Sequence, residues 1–134
     1  MADPLEGRSK EIIDDPNYVV VAIPRQDGTV QSVITWVDTE GDHLRLNSAE
    51  GRSWPANLRR AGTATITAMA DGNPYEYVTV TARLDGDTHE GADEHIDTLA
   101  KKYLGVDRYP YRDPASQRIL FRLRPERVRY CKPR

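Results

Sequence analysis

One run of the sequence, Leu46-Asn47-Ser48-Ala49-Glu50-Gly51-Arg52-Ser53-Trp54-Pro55-Ala56-Asn57-Leu58-Arg59-Arg60, carries the groups best able to hold an anion. A strand leads through a glycine turn into a short helix, with Ser53 as its N-cap, Trp54 and Pro55 in its first turn and basic residues at its end. A helix start presents unpaired N–H groups and a partial positive charge to an anion. Arg52 stands at that entrance, where a guanidinium can grip a phosphate with two parallel hydrogen bonds. Gly-Arg before a helix also occurs as a plain solvated turn, so the motif alone does not decide.

Other chemistries find few groups. His43 falls on a polar strand position, and His89 and His95, six residues apart, do not share a helical face, so all three read as surface histidines. No His/Asp/Glu grouping has metal-ligand spacing, and neither a nucleophile elbow nor a phosphate-cradling glycine loop occurs. The lone Cys131 excludes an internal disulfide and a cysteine-built metal site, and it suits a reducing, cytoplasmic setting. What is left is chemistry borrowed from a cofactor, or plain binding.

Strands must position these groups. Tyr18–Ile23 is a β-branched run ending at Pro24, and after Asp27-Gly28 a second arm spans Thr29–Asp38. His43–Asn47 alternates polar and apolar residues. Ala61–Ala70 and Tyr75–Leu84 form a second hairpin across a longer loop, Asp71-Gly72-Asn73-Pro74. Arg118–Arg124 sets Ile119, Phe121 and Leu123 on one face until Pro125 breaks it. Helical spacing marks about Gly91–Leu104, with acids in its first turn, Lys101 and Lys102 in its last, and Gly105 as its stop. A loose helix near Leu5–Ile13 is also expected. The reading is a mainly β fold, a small barrel or sandwich with flanking helices, in one domain over residues 1–134.

Charge excludes some partners. At 134 residues, with 30% charged residues and a formal net charge of −2, the chain is a poor general nucleic-acid binder. Its basic residues concentrate at one end, where Arg118, Arg122, Arg124, Arg127, Arg129, Lys132 and Arg134 face one acid, Glu126. An anionic small molecule or an acidic patch on a second subunit would answer them; so would water. The longest apolar stretch, Tyr18–Ile23, is far short of a membrane span, and Met1-Ala2-Asp3-Pro4 does not open like a secretory signal.

Several segments, in this order, carry a resemblance: Asp15-Pro16-Asn17; Asp27-Gly28 with Gln31 and Trp36; Asn47 to Arg52 with Asn57 to Arg60; and Asn73 to Tyr77. Gly91 to Asp97, Tyr103 to Arg112 and Arg124 to Val128 complete it. Together they resemble the flavin/deazaflavin oxidoreductases of the pyridoxamine 5'-phosphate oxidase-like split β-barrel superfamily, in particular small actinobacterial proteins called coenzyme F420-dependent. The resemblance covers nearly the whole chain. It implies an FMN-binding-like split barrel, a homodimer with two cofactor grooves between subunits, and hydride transfer from reduced F420 to a small organic acceptor. FMN is the alternative cofactor, and a non-catalytic flavin or deazaflavin carrier the alternative role.

The resemblance also implies site residues. Ser32, Val33, Ile34 and Trp36 would lie along the ring; Asn47, Ser48 and Ala49 would approach it from the next strand, and Arg52 would meet the phosphate. Asn57 would hold the helix start, while Tyr75, Tyr77, Tyr111 and Arg112 would line the groove from the partner chain. One departure stands out: Trp54 occupies a position where the family usually has Lys. Losing such a cation costs about 1–3 kcal/mol of phosphate binding if the contact is charge-assisted. Trp54 would then either stack on the cofactor or pack against the barrel.

Overall fold

The computed structural model describes residues 1–133; Arg134, counted above in the basic run, lies outside the described residues. Seven strands form one sheet: β1 Val19–Pro24, β2 Val30–Thr35, β3 Asp38–Glu40, β4 His43–Ala49, β5 Thr63–Ala70, β6 Asn73–Thr88 and β7 Arg118–Cys131. Their order is β2-β1-β5-β6-β7-β4-β3, with every neighbouring pair antiparallel. Three helices flank it: α1 Gly7–Asp14, α2 Ser53–Ala61 and α3 Ala92–Leu104.

Alternation sends Val19, Val21 and Ile23 of β1, Ile66 and Ala68 of β5, Val78 and Val80 of β6 and Ile119, Phe121 and Leu123 of β7 into one core. Ile12 and Ile13 of α1 and Trp54 and Leu58 of α2 close it. Helix α3 covers the opposite face of β4 and β7, burying Ile96 and Leu99 on the side where Asn47 pairs with Leu120. Acids in its first turn and lysines in its last suit its dipole, and Gly105 stops it at a φ of 71°, as the sequence predicts.

The structure corrects four boundaries. The predicted arm Thr29–Asp38 leaves the ladder after Thr35, because side chains of α3 take over the backbone of Val37. Tyr103 Oη accepts from the Val37 N–H at 3.2 Å, and Lys102 Nζ donates to the Val37 carbonyl at 2.6 Å. The β5–β6 loop shortens to Asp71-Gly72, since Asn73 already pairs with Ala70. Strand β7 runs through Pro125: β4 has ended opposite Leu123, and Glu126 is an extra residue between the pairs Ala82–Pro125 and Thr81–Arg127. The residue capping α2 is Arg52 rather than Ser53, whose Oγ instead accepts from Gln31 Nε2 at 2.9 Å.

Candidate functional site

Where α3, the end of β2, the end of β4 and the start of β7 meet, the chain forms an open cavity of about 240 Å³. Tyr18 precedes β1; Ile34, Thr35 and Trp36 come from β2 and its exit; Asn47 comes from β4, and Arg52 from the cap of α2. Ile96 and Leu99 of α3, Tyr109 and Tyr111 of the following loop, and Arg118 of β7 complete the lining. A larger hollow of about 640 Å³, between the N-terminal residues and Arg127 and Arg129, has no aromatic wall.

Aromatic contacts fix the walls. Trp36 stacks on Tyr103 with ring centres 5.3 Å apart and planes 7° from parallel, and meets Tyr109 edge-on at 6.1 Å. Tyr18 meets the same Tyr103 ring edge-on at 5.5 Å. Tyr103 Oη donates to the Asn17 carbonyl at 2.8 Å, and burial pushes this phenol up to about 12, so it remains a neutral donor. Beside it, burial pushes Lys102 down to about 8, against the pull of Asp38, Asp14 and Asp15.

A polar relay runs beneath α3. Arg118 has only donors, so the amide atom it meets at 2.9 Å is the Asn47 oxygen. Asn47 Nδ2 then donates to the Ala92 carbonyl at 2.9 Å and to His95 Nδ1 at 3.1 Å. His95 therefore carries its hydrogen on Nε2 and donates it to Asp38 Oδ1 at 2.9 Å. Arg45 clasps both oxygens of Asp38, at 2.9 and 2.6 Å. Burial raises the Asp38 carboxyl, but the bonds from His95 and Arg45 outweigh it and hold the group below its usual range. His95, read from its spacing as a surface histidine, is 2% exposed. No local signal marks it, because Asn47 falls on the polar side of the alternating strand His43–Asn47 and only the fold sets α3 over that side.

The cavity gathers Ile34, Trp36, Asn47, Arg52 and Tyr111 of the sequence-predicted site. Tyr111 lines it from the same chain. Val33 packs on the core, while Ser32 is exposed opposite Ala22 on the outer sheet surface. Ser48 lies on the core face of β4, 1% exposed and with its Oγ unpartnered, and Ala49 is buried. Trp54 is turned inward against Phe121, with centroids 5.6 Å apart, and takes the packing role rather than the stacking one. Asn57 donates to Gln31 Oε1 at 2.6 Å, tying α2 to β2. Tyr75 and Tyr77 stand on the early part of β6 and do not line the cavity, and Arg112 is engaged by Asp97 at 2.7 Å.

Sequence reading missed Tyr18, Tyr109 and Arg118 as lining. Arg118 belongs to the basic run, yet it stands at the start of β7 on the side of Leu120 that α3 covers, whereas Arg127 and Arg129 lie at the far end of the strand, opposite Thr81 and Thr79 of β6. Among the described residues no cluster of three metal-ligating side chains occurs, and no helix is long and apolar enough to cross a membrane.

No family model and no curated protein matches the sequence. Solved structures do resemble the chain. An F420 reductase superposes with a TM-score of 0.81 at 21% identity, over 92% of this chain and 98% of its own. A candidate pyridoxamine 5'-phosphate oxidase from Listeria innocua gives 0.63 at 15%, over 85% and 87%. HutZ, a heme storage protein from Vibrio cholerae, gives 0.65 at 14%, over 96% of both chains. The antiparallel seven-stranded sheet, its flanking helices and these superpositions together identify the pyridoxamine 5'-phosphate oxidase-like split-barrel fold.

Proposed function

We propose that the chain is an oxidoreductase that binds coenzyme F420 and orients it for hydride transfer to a small organic acceptor. The observation that carries this reading is the combination, in one cavity, of stacked aromatic walls with two guanidiniums, Arg52 and Arg118, that have no ion-pair partner among the described residues. A planar heterocycle with an anionic tail matches both parts. When bound, the deazaflavin supplies the hydride. The chain's own residues would do the rest: Trp36 and Tyr109 would exclude water and present flat surfaces, Ile34 would border the ring, and Arg52 at the start of α2 would hold the phosphate.

The functional unit is proposed to be a homodimer. The outer surface of β1, β2 and β5 leaves Val20, Ile34 and Met69 exposed, and no helix covers it. A second copy would bury them.

Titration of the purified protein with F420 and with FMN, followed by absorbance and fluorescence, tests the reading. Saturable binding of F420 is expected, with Arg52→Ala weakening it far more than Trp54→Ala. Binding of FMN alone would favour the flavin alternative. Binding of neither would overturn the enzyme.

A further inference from the structure

Several arginines elsewhere in the molecule are already paired with carboxylates. Arg45 is clasped by Asp38, Arg59 by Glu50 and Asp87, Arg112 by Asp97, and Arg122 by Glu40. Arg118 differs. It is half-buried, its Nε donates to Asn47, its guanidinium lies 5.4 Å from the Tyr109 ring centre, and no carboxylate lies within ion-pairing distance among the described residues. Both terminal nitrogens lack a protein partner there. The other cation on the cavity, Arg52, is equally without an ion-pairing carboxylate among the described residues.

Two like charges brought to one cavity repel each other, and partial burial adds a desolvation cost. Burial pushes the Arg118 pKa down, and the charges of Arg52 and Arg112 act the same way, against the pull of Tyr109 and Asp93. A group held under such conditions by a built relay, from Arg45 through Asp38, His95 and Asn47, is poised for a ligand that supplies the missing negative charge.

We propose that Arg52 and Arg118 together form a two-guanidinium oxyanion site, in which Arg118 determines specificity for a phosphate- or carboxylate-bearing planar ligand. Asn47 is its positioning residue: by accepting from Nε, it aims both terminal nitrogens away from the strand. The anion site stands on the cavity alone; assigning its occupant to the cofactor's phosphate rests on the F420 reading above.

The experiment has two arms. In the first, the Arg118 Nε–H resonance, identified by its loss in Arg118→Lys, is followed by NMR while inorganic phosphate or benzoate is added. A saturable shift, abolished in Arg52→Ala, is expected. In the second, affinities for F420 and FMN are compared with those for their counterparts lacking the phosphate, in the wild type and in Arg118→Met. Arg118→Met is expected to weaken the phosphorylated ligands about ten- to hundredfold and leave the others unchanged. Asn47→Leu, which removes the acceptor for Nε, should lose the preference, and so should Asn47→Asp, whose carboxylate supplies the negative charge that Arg118 otherwise takes from a ligand.

An anion-induced shift with no change in phosphate preference would support the site and assign it to a carboxylate on the acceptor. An anion-induced shift with no flavin-type binding at all would support the site while overturning the F420 reading. No shift with either anion, together with unchanged affinities in Arg118→Met, would overturn the proposal while leaving F420 binding intact.

Discussion

The two faces of the β4–β7 ladder are built from the same two strands and serve opposite ends. On one, Leu44 and Leu46 meet Phe121 and Leu123 in a dry core. On the other, Arg45 and Asn47 lie opposite Arg122 and Leu120 and carry a hydrogen-bonded chain beneath α3. Residues one position apart thus divide between burying area and aiming polar groups. A substitution on the first face should change stability without touching ligand preference. On the second it should change both.

The sharpest way to break that division is Phe121→Ala. It should cost about 3–5 kcal/mol in urea unfolding through the lost ring and the cavity left behind. If the refolded protein also lost its discrimination between phosphorylated and unphosphorylated ligands, the two faces would not be separable. On the other face, Asp38→Ala strands Arg45 and His95 together, for an expected cost of about 2–4 kcal/mol by the same measurement.

The pH dependence separates the faces further. The folded Asp38 carboxyl sits below its unfolded value, so its contribution is fully present above the unfolded pKa and is lost as pH falls through the folded one. Acid unfolding of Asp38→Asn should be shallower than that of the wild type below about pH 4. Lys102 runs the other way. Its folded value of about 8 lies under the ordinary 10.5, so the unfolded chain binds the extra proton and stability rises with pH between them. Lys102→Met should remove that alkaline rise from the stability–pH curve. The smallest effect is expected at Trp54→Phe, a cost of about 1 kcal/mol with unchanged F420 affinity; a loss of affinity would move Trp54 from the core to the ligand.

Local pattern made most of the fold legible. β-branched runs, the Asp27-Gly28 turn and the charge-polarised α3 are properties of neighbouring residues, and they appear where the sequence puts them. What local pattern misjudged was decided at long range. The break after Thr35 depends on Lys102 and Tyr103, more than sixty positions away, and the passage of β7 through Pro125 depends on where β4 ends. The candidate site follows the same rule. Arg52 was readable from its place before a helix, but Arg118 and His95 take their roles from Asn47, at sequence separations of 71 and 48. Spacing along one helix has no bearing on what a histidine meets on a strand.

The extra residue at Glu126 works as a frame-keeper. Before it, Arg122 and Arg124 point away from the core while Phe121 and Leu123 point in; after it, Arg127 and Arg129 point away while Val128 packs inward. Arg124 and Arg127, three positions apart, share a side only because the bulge shifts the alternation by one. Were Glu126 to take a regular place opposite Thr81, every later residue would turn over, sending Arg127 and Arg129 into the barrel and Val128 out of it; deleting Glu126 would instead restore plain alternation with those residues where they are. Leaving one residue out of the ladder as a bulge thus keeps the inside–outside reading frame of the last strand.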